Sequence, residues 1–183
     1  CWYNCTDRAP GRNNDVETVE QTWWYQLIDA DPDLVLERNN SYSGATVCCT
    51  GYRGEDFSDR AFISRVNNLG NPDIIIILGG TNDSWAKSPV GEFKYSDWNK
   101  ADLMTFRPAF AYMLERLQAL YPEALILNVV NSELSDDVTD SQQIICDHYG
   151  VKNILLEDID KQWGHPSIAG MQSIASQVKP FIK

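Results

Sequence analysis

Residues 72–83 read PDIIIILGGTND and decide the fold of this chain. Four isoleucines and a leucine stand in a row between a Pro-Asp pair and a Gly-Gly pair, which is typical of a strand buried on both faces. Such strands belong to parallel sheets that are covered by helices. The apolar run ends in Thr81, Asn82 and Asp83, at the edge where open α/β sheets bind ligands. A plain turn is the alternative, since Gly, Asn and Asp all favour turns.

The segments around this strand alternate between helix and strand. Helical spacing of apolar residues predicts helices at 15–30, 55–69, 101–121, 139–149 and 167–181, and apolar runs predict further strands at 34–37, 124–130 and 153–156. This alternation predicts an α/β fold, a three-layer α/β/α sandwich around a central parallel sheet. Residues 84–100 are predicted to form a long aromatic loop, and loops of this length are usually functional.

Length and charge narrow the class of protein. A chain of 183 residues is expected to form a single domain over residues 1–183. No run of about 18 apolar residues occurs, so we expect no membrane insertion. The net charge of -11 argues against nucleic acid or an anionic membrane as partner, because both need a basic patch. A neutral or weakly charged small-molecule substrate is favoured.

The five cysteines indicate neither a disulfide framework nor a zinc site, because their number is odd and no CxxC pair occurs. Cys48 and Cys49 are adjacent and are expected to pack as small apolar residues on a helix. The compartment stays open. The weak preference is for the cytoplasm, with the periplasm or secretion as alternatives.

Three polar clusters follow predicted strands, and their sequences resemble a known family. NSYSGAT at 40–46, GGTND at 79–83 and GHPSIAGM at 164–171 are similar to the second, third and fifth sequence blocks of the SGNH hydrolases, also called the GDSL-type lipase and acylhydrolase family. The resemblance covers nearly the whole chain in the right order. It implies the flavodoxin-like sheet of that family and ester hydrolysis through a serine. It also implies that the protein needs no metal or organic cofactor.

Carried over by position, the resemblance assigns three catalytic roles. Gly44 would offer its backbone N–H, and Asn82 its side-chain amide, to an oxyanion. His165 would be the general base. The alternatives are a turn glycine, a capping asparagine and a histidine that docks the last helix. The residues expected to contact substrate are Ser43, Thr81, Asp83 and Trp85.

The sequence departs from the family pattern just before the histidine. The family places an Asp three residues before it, where this chain has Gln162. Asp160 is the preferred substitute for orienting His165, with Asp158 or a backbone carbonyl as alternatives. The second histidine, His148, is interpreted as a surface residue.

The larger departure is the absence of the Gly-Asp-Ser block that carries the nucleophile, together with the strand that should precede the first helix. That strand is expected to lie between the strand at 34–37 and the isoleucine strand. We therefore expect that roughly 20 to 30 residues of the working protein precede this sequence, or that another segment fills the slot.

The sequence thus predicts an SGNH-type ester hydrolase. Its substrate would be a short-acyl ester, such as an acetylated carbohydrate, covered by the aromatic loop. The alternative is a non-catalytic module that keeps the scaffold, has lost the nucleophile and binds a glycan.

Overall fold

A computed structural model describes residues 14–182. They fall into two compact units. The central unit is Gly44–Leu155, and the terminal unit combines residues 14–43 with residues 156–182. In chain order the helices and strands are α1 (Trp23–Asp29), β1 (Ile74–Ile77), α2 (Thr81–Ala86), α3 (Phe106–Leu120), β2 (Leu125–Val130), α4 (Asp136–Tyr149), β3 (Lys152–Leu155), β4 (Lys161–Gln162), β5 (His165–Pro166) and α5 (Ile168–Val178).

The central unit is built on a parallel sheet with the strand order β1-β2-β3. Ile74 lies opposite Leu125, and Leu127 lies opposite Lys152. Five of the six residues of β2 are buried, as expected for the middle strand of a covered sheet. The strands predicted from the isoleucine run and from residues 124–130 and 153–156 are therefore confirmed.

The helices α3 and α4 cover this sheet with apolar side chains. Pro108 lies in the first turn of α3, where its missing N–H costs nothing. The buried face of α3 includes Phe106, Phe110, Leu114 and Leu117. Cys146 of α4 joins the same core, and so do Cys48 and Cys49, which lie in a bent segment and not on a helix. All three thiols are buried and free.

Two predicted elements of the chain do not form. Residues 34–37 belong to no strand, and Val35 there is 86% exposed. Residues 55–69 form successive turns in place of a helix. In that segment the N–H of Phe57 donates to Cys49 O, and the N–H of Phe62 donates to Thr46 O. These tertiary bonds replace the helical ladder that the apolar spacing predicted.

Within residues 14–182, β1 pairs with β2 and with no other strand. Because residues 34–37 form no strand, the described residues provide no second strand on the far side of the expected slot. The extra strand expected in that slot stays a prediction.

The terminal unit contains α1, α5 and the β4–β5 hairpin. The helix predicted for 15–30 is shorter, because a 3₁₀ turn at Val19–Gln21 precedes α1. Ser167 caps α5, since its hydroxyl accepts the N–H of Gly170. Residues 1–14 are rich in turn formers, which predicts a loop, and apart from Asn14 they lie outside the described residues. No helix in the described part of the chain is long and apolar enough to cross a membrane.

Candidate active site

The GGTND segment joins β1 directly to α2. Gly80 has a φ of +89°, and a Cβ at this position would lie 2.8 Å from Nε2 of Gln142. Both the left-handed backbone and the close approach require glycine. Thr81, Asn82 and Asp83 form the first turn of α2, so the segment is a helix start and not a plain turn.

The side chain of Asn82 is held on two sides. Its Nδ2 donates to the backbone carbonyl of Ala45 at 2.9 Å, and its Oδ1 accepts the hydroxyl of Tyr52 at 2.7 Å. A primary amide nitrogen carries two protons. The second N–H has no acceptor among the described residues and is available to a bound oxygen atom.

Gly44 is the residue before Ala45, whose carbonyl binds the Asn82 amide, and both lie in the central unit. Its φ is +78°, and no atom lies within 4 Å of where its Cβ would stand. Backbone conformation, and not crowding within the protein, therefore demands glycine here. Its N–H has no hydrogen-bond acceptor among residues 14–182. The structure thus brings the Asn82 amide beside the segment that presents the Gly44 N–H.

Asp83 fixes residues 44–48 through hydrogen bonds to their backbone. The carboxylate is 1% exposed and accepts the N–H of Val47 at 2.8 Å and the N–H of Cys48 at 3.2 Å. Burial raises the pKa of Asp83 to about 6, although these N–H bonds act in the opposite direction. The role of Asp83 is to anchor residues 44–48.

His165 lies in the terminal unit, at the start of β5. Its Nδ1 is 3.1 Å from the carbonyl oxygen of Trp163. A carbonyl can only accept, so in the neutral ring the proton is on Nδ1 and the lone pair is on Nε2. This is the tautomer that a general base requires. The intervening turn, Trp163 and Gly164, has φ values of +51° and +78°.

Asp160 does not orient this imidazole. Its carboxylate accepts the hydroxyl of Ser167, which caps α5, and its carbonyl accepts the N–H of Ser167 at 3.0 Å. The carbonyl of Trp163 holds the ring, which was one of the alternatives left open by the sequence. A Cβ on Gly170 would lie 2.2 Å from Asp160 O, so the glycine of the HPxxxG motif permits this packing.

A family model described as GDSL-like lipase/acylhydrolase matches residues 1–182. The chain belongs to this family.

Solved structures agree with the family and with its fold. A protein from Bacteroides uniformis ATCC 8492 described as a GDSL-like lipase is 59% identical to this chain, with a TM-score of 0.93 over 100% of this chain and 84% of that one. A second GDSL-like lipase, from Bacteroides ovatus ATCC 8483, is 49% identical, with a TM-score of 0.92 over 99% of this chain and 86% of that one.

A more distant likeness shows the fold alone. A family two carbohydrate esterase from Clostridium thermocellum, solved in complex with cellohexaose, is 18% identical, with a TM-score of 0.59 over 91% of this chain and 55% of that one. Together these structures confirm the predicted three-layer α/β/α class with a central parallel sheet. No curated protein is significantly similar to the chain.

For this GDSL-like protein, two of the four predicted substrate contacts are corrected. Thr81 is 6% exposed and accepts the amide of Asn131 at 3.2 Å. Asp83 is buried and bound to backbone N–H groups. Ser43 and Trp85 are exposed and remain predicted substrate contacts.

The aromatic loop is mostly packed against its own unit. The ring of Phe93 stacks on Tyr95, and the guanidinium of Arg107 lies 4.3 Å from the centroid of the Phe93 ring. Tyr95 stacks on exposed His148 at 3.8 Å, and Trp98 meets Tyr112 edge-on. These aromatic residues stabilise the loop, which begins only after α2. Trp85, predicted to lie in the loop, lies in α2 and is 41% exposed.

The sequence alone indicated neither Tyr52, which contacts Asn82, nor Trp163, which contacts His165. Tyr52 lies between glycines in GYRG, which signals a tight turn but not a contact with Asn82. Trp163 is 87% exposed, and a tryptophan with positive φ is rare in a two-residue hairpin turn. Among residues 14–182, no group of three His, Cys, Asp or Glu residues could hold a metal ion.

Proposed function

We propose that this GDSL-like protein is a serine ester hydrolase that acts on a short-acyl ester. The observation that carries the proposal is the free N–H of Asn82. Two fixed contacts hold this amide against Ala45, the residue after Gly44, whose own N–H has no acceptor among residues 14–182. A tetrahedral intermediate develops negative charge on one oxygen, and two preorganised N–H donors stabilise that charge.

His165 supplies the proton transfer in this proposal. A serine hydroxyl attacks the ester carbonyl carbon while Nε2 of His165 takes the hydroxyl proton. Nε2 then returns the proton to the departing alcohol oxygen as the C–O bond breaks. Water hydrolyses the acyl-enzyme by the same route. The bond from Nδ1 to Trp163 O supports this role, because it keeps the lone pair on Nε2.

The serine itself is a requirement of the proposal. The 183 residues contain no Gly-Asp-Ser block. The proposal therefore assigns the nucleophilic serine to no residue of this sequence.

For the substrate we propose an acetylated carbohydrate. Trp163 presents an exposed aromatic face two residues from His165, and aromatic faces stack on sugar rings. The net charge of -11 favours a neutral substrate over an anionic one.

Replacing Asn82 tests the proposal. In the working protein, Asn82→Ala should lower kcat for p-nitrophenyl acetate by about 10² to 10³ with little change in KM, because the donor acts mainly in the transition state. Asn67→Ala, an exposed amide in the same unit and outside the aromatic loop, is the control. An Asn82→Ala variant that is folded and keeps its kcat would overturn the assignment.

A glycan-binding module without catalysis is the second candidate. It is favoured by exposed Trp163. Such a protein would bind acetylated oligosaccharides in calorimetry, release no acetate, and lose binding in Trp163→Ala.

A further inference from the structure

The hydroxyl of Tyr52 determines which way the Asn82 amide faces. Ala45 O can only accept, so the amide atom 2.9 Å from it is the nitrogen. The oxygen Oδ1 then faces Tyr52, and the phenol must be the donor in the 2.7 Å bond. The contacts from both sides leave a single orientation of the side chain.

Tyr52 is itself rigidly placed. It begins a 3₁₀ turn, Tyr52–Gly54, at the tip of a small antiparallel loop. The N–H of Gly51 donates to Glu55 O at 2.8 Å, and the N–H of Phe57 donates to Cys49 O at 2.7 Å. The base of the loop is fixed as well, because the hydroxyl of Thr50 donates to Met104 O at 2.7 Å.

The phenol of Tyr52 is also protonated at neutral pH, as its role as a donor requires. Burial, with a smaller contribution from the negative charge of Asp83, raises the pKa of its phenol above the ordinary value. The hydroxyl therefore keeps its proton.

We propose that Tyr52 is a positioning residue for the oxyanion donor Asn82, a role that rests on the proposed ester hydrolysis. Tyr52 has two effects on the amide. It prevents rotation about the terminal torsion, which is otherwise broad for asparagine and would turn Oδ1 toward the developing negative charge. By donating to Oδ1, it also polarises the amide and strengthens the opposite N–H as a donor.

Tyr52→Phe removes the hydroxyl and keeps the ring that packs near Phe57. One hydrogen bond to the amide is lost, so we expect kcat for p-nitrophenyl acetate to fall about 3- to 10-fold with KM unchanged. Tyr121→Phe is the matched control. It loses a partly buried hydroxyl that bonds to backbone atoms of Leu69 and Val66, and it should keep its kcat.

Coupling to Asn82 separates positioning from general damage. Without the amide there is nothing to orient, so the double variant Tyr52→Phe/Asn82→Ala should have the kcat of Asn82→Ala alone. The role of Tyr52 is overturned if Tyr52→Phe keeps the wild-type kcat while Asn82→Ala loses activity. An equal loss in both backgrounds, or a change confined to KM, overturns it too.

A failure of the proposed function looks different. In that case the unaltered protein does not hydrolyse the ester, or Asn82→Ala hydrolyses it at the wild-type rate. Either result removes the oxyanion role of Asn82 and the positioning role of Tyr52 together.

Discussion

The anchoring of residues 44–48 by a single buried carboxylate leads to a specific expectation for Asp83→Ala. This change removes the acceptor of two backbone N–H groups, those of Val47 and Cys48. Both residues are 0% exposed, so their N–H groups are out of reach of bulk water in this structure. Residues 44–48 should therefore loosen, and the Gly44 N–H with them.

The size of the effect follows from these contacts. A buried donor left without an acceptor costs about 1–3 kcal/mol, so two such donors cost about 2–6 kcal/mol. Removing a buried carboxylate also relieves the unfavourable desolvation that raises its pKa, which offsets part of the loss at neutral pH. We expect the free energy of unfolding to fall by about 2–4 kcal/mol at pH 7.

Urea denaturation followed by tryptophan fluorescence measures this difference. Asp83→Asn keeps one acceptor oxygen and should lose less stability than Asp83→Ala. Asp73→Ala, an exposed carboxylate in the same unit, is the control and should stay within about 0.5 kcal/mol of the wild type. If Asp83→Ala is as stable as Asp73→Ala, the anchoring argument is refuted.

Two further predictions concern pH and packing. The pKa of Asp83 is about 6 in the folded protein and near 3.8 when unfolded, so the folded state holds the proton more tightly. This contribution to stability is complete below pH 3.8 and is lost as pH rises through 6. Relative to Asp83→Asn, the wild type should therefore lose on the order of 2–3 kcal/mol between pH 4 and pH 7, and a difference that is constant with pH would contradict the shift. In the terminal unit, Gly170→Ala should lower the free energy of unfolding by about 1–3 kcal/mol, because its Cβ would lie 2.2 Å from Asp160 O; a melting temperature equal to that of Ala169→Ser would contradict this.

The sheet could be predicted because its signal is local. The four isoleucines of β1 and the apolar run of β2 are continuous, and few other structures bury such segments on both faces. Residues 34–37 gave the same kind of signal over only four positions, which is too short to separate a strand from an extended loop. The apolar spacing at 55–69 was real, but the residues are buried by turns whose N–H groups bond to residues 46 and 49.

The site could be predicted only in part, since side-chain partners lie far apart in sequence. Position in the motifs was enough to assign roles to Asn82, Gly44 and His165, and these stay predictions for experiment. It could not show that Asp83 faces the core, because Val47 lies 36 residues away. The same distance in sequence concealed Tyr52, 30 residues before Asn82.

The most direct test of the central claim is the rate of p-nitrophenyl acetate hydrolysis by the working protein and by His165→Ala. The unaltered protein should turn over the ester, and His165→Ala should lose a factor of about 10² to 10⁴ while its melting temperature is retained, because a general base contributes that much. Equal rates for the two folded proteins would contradict the hydrolase account.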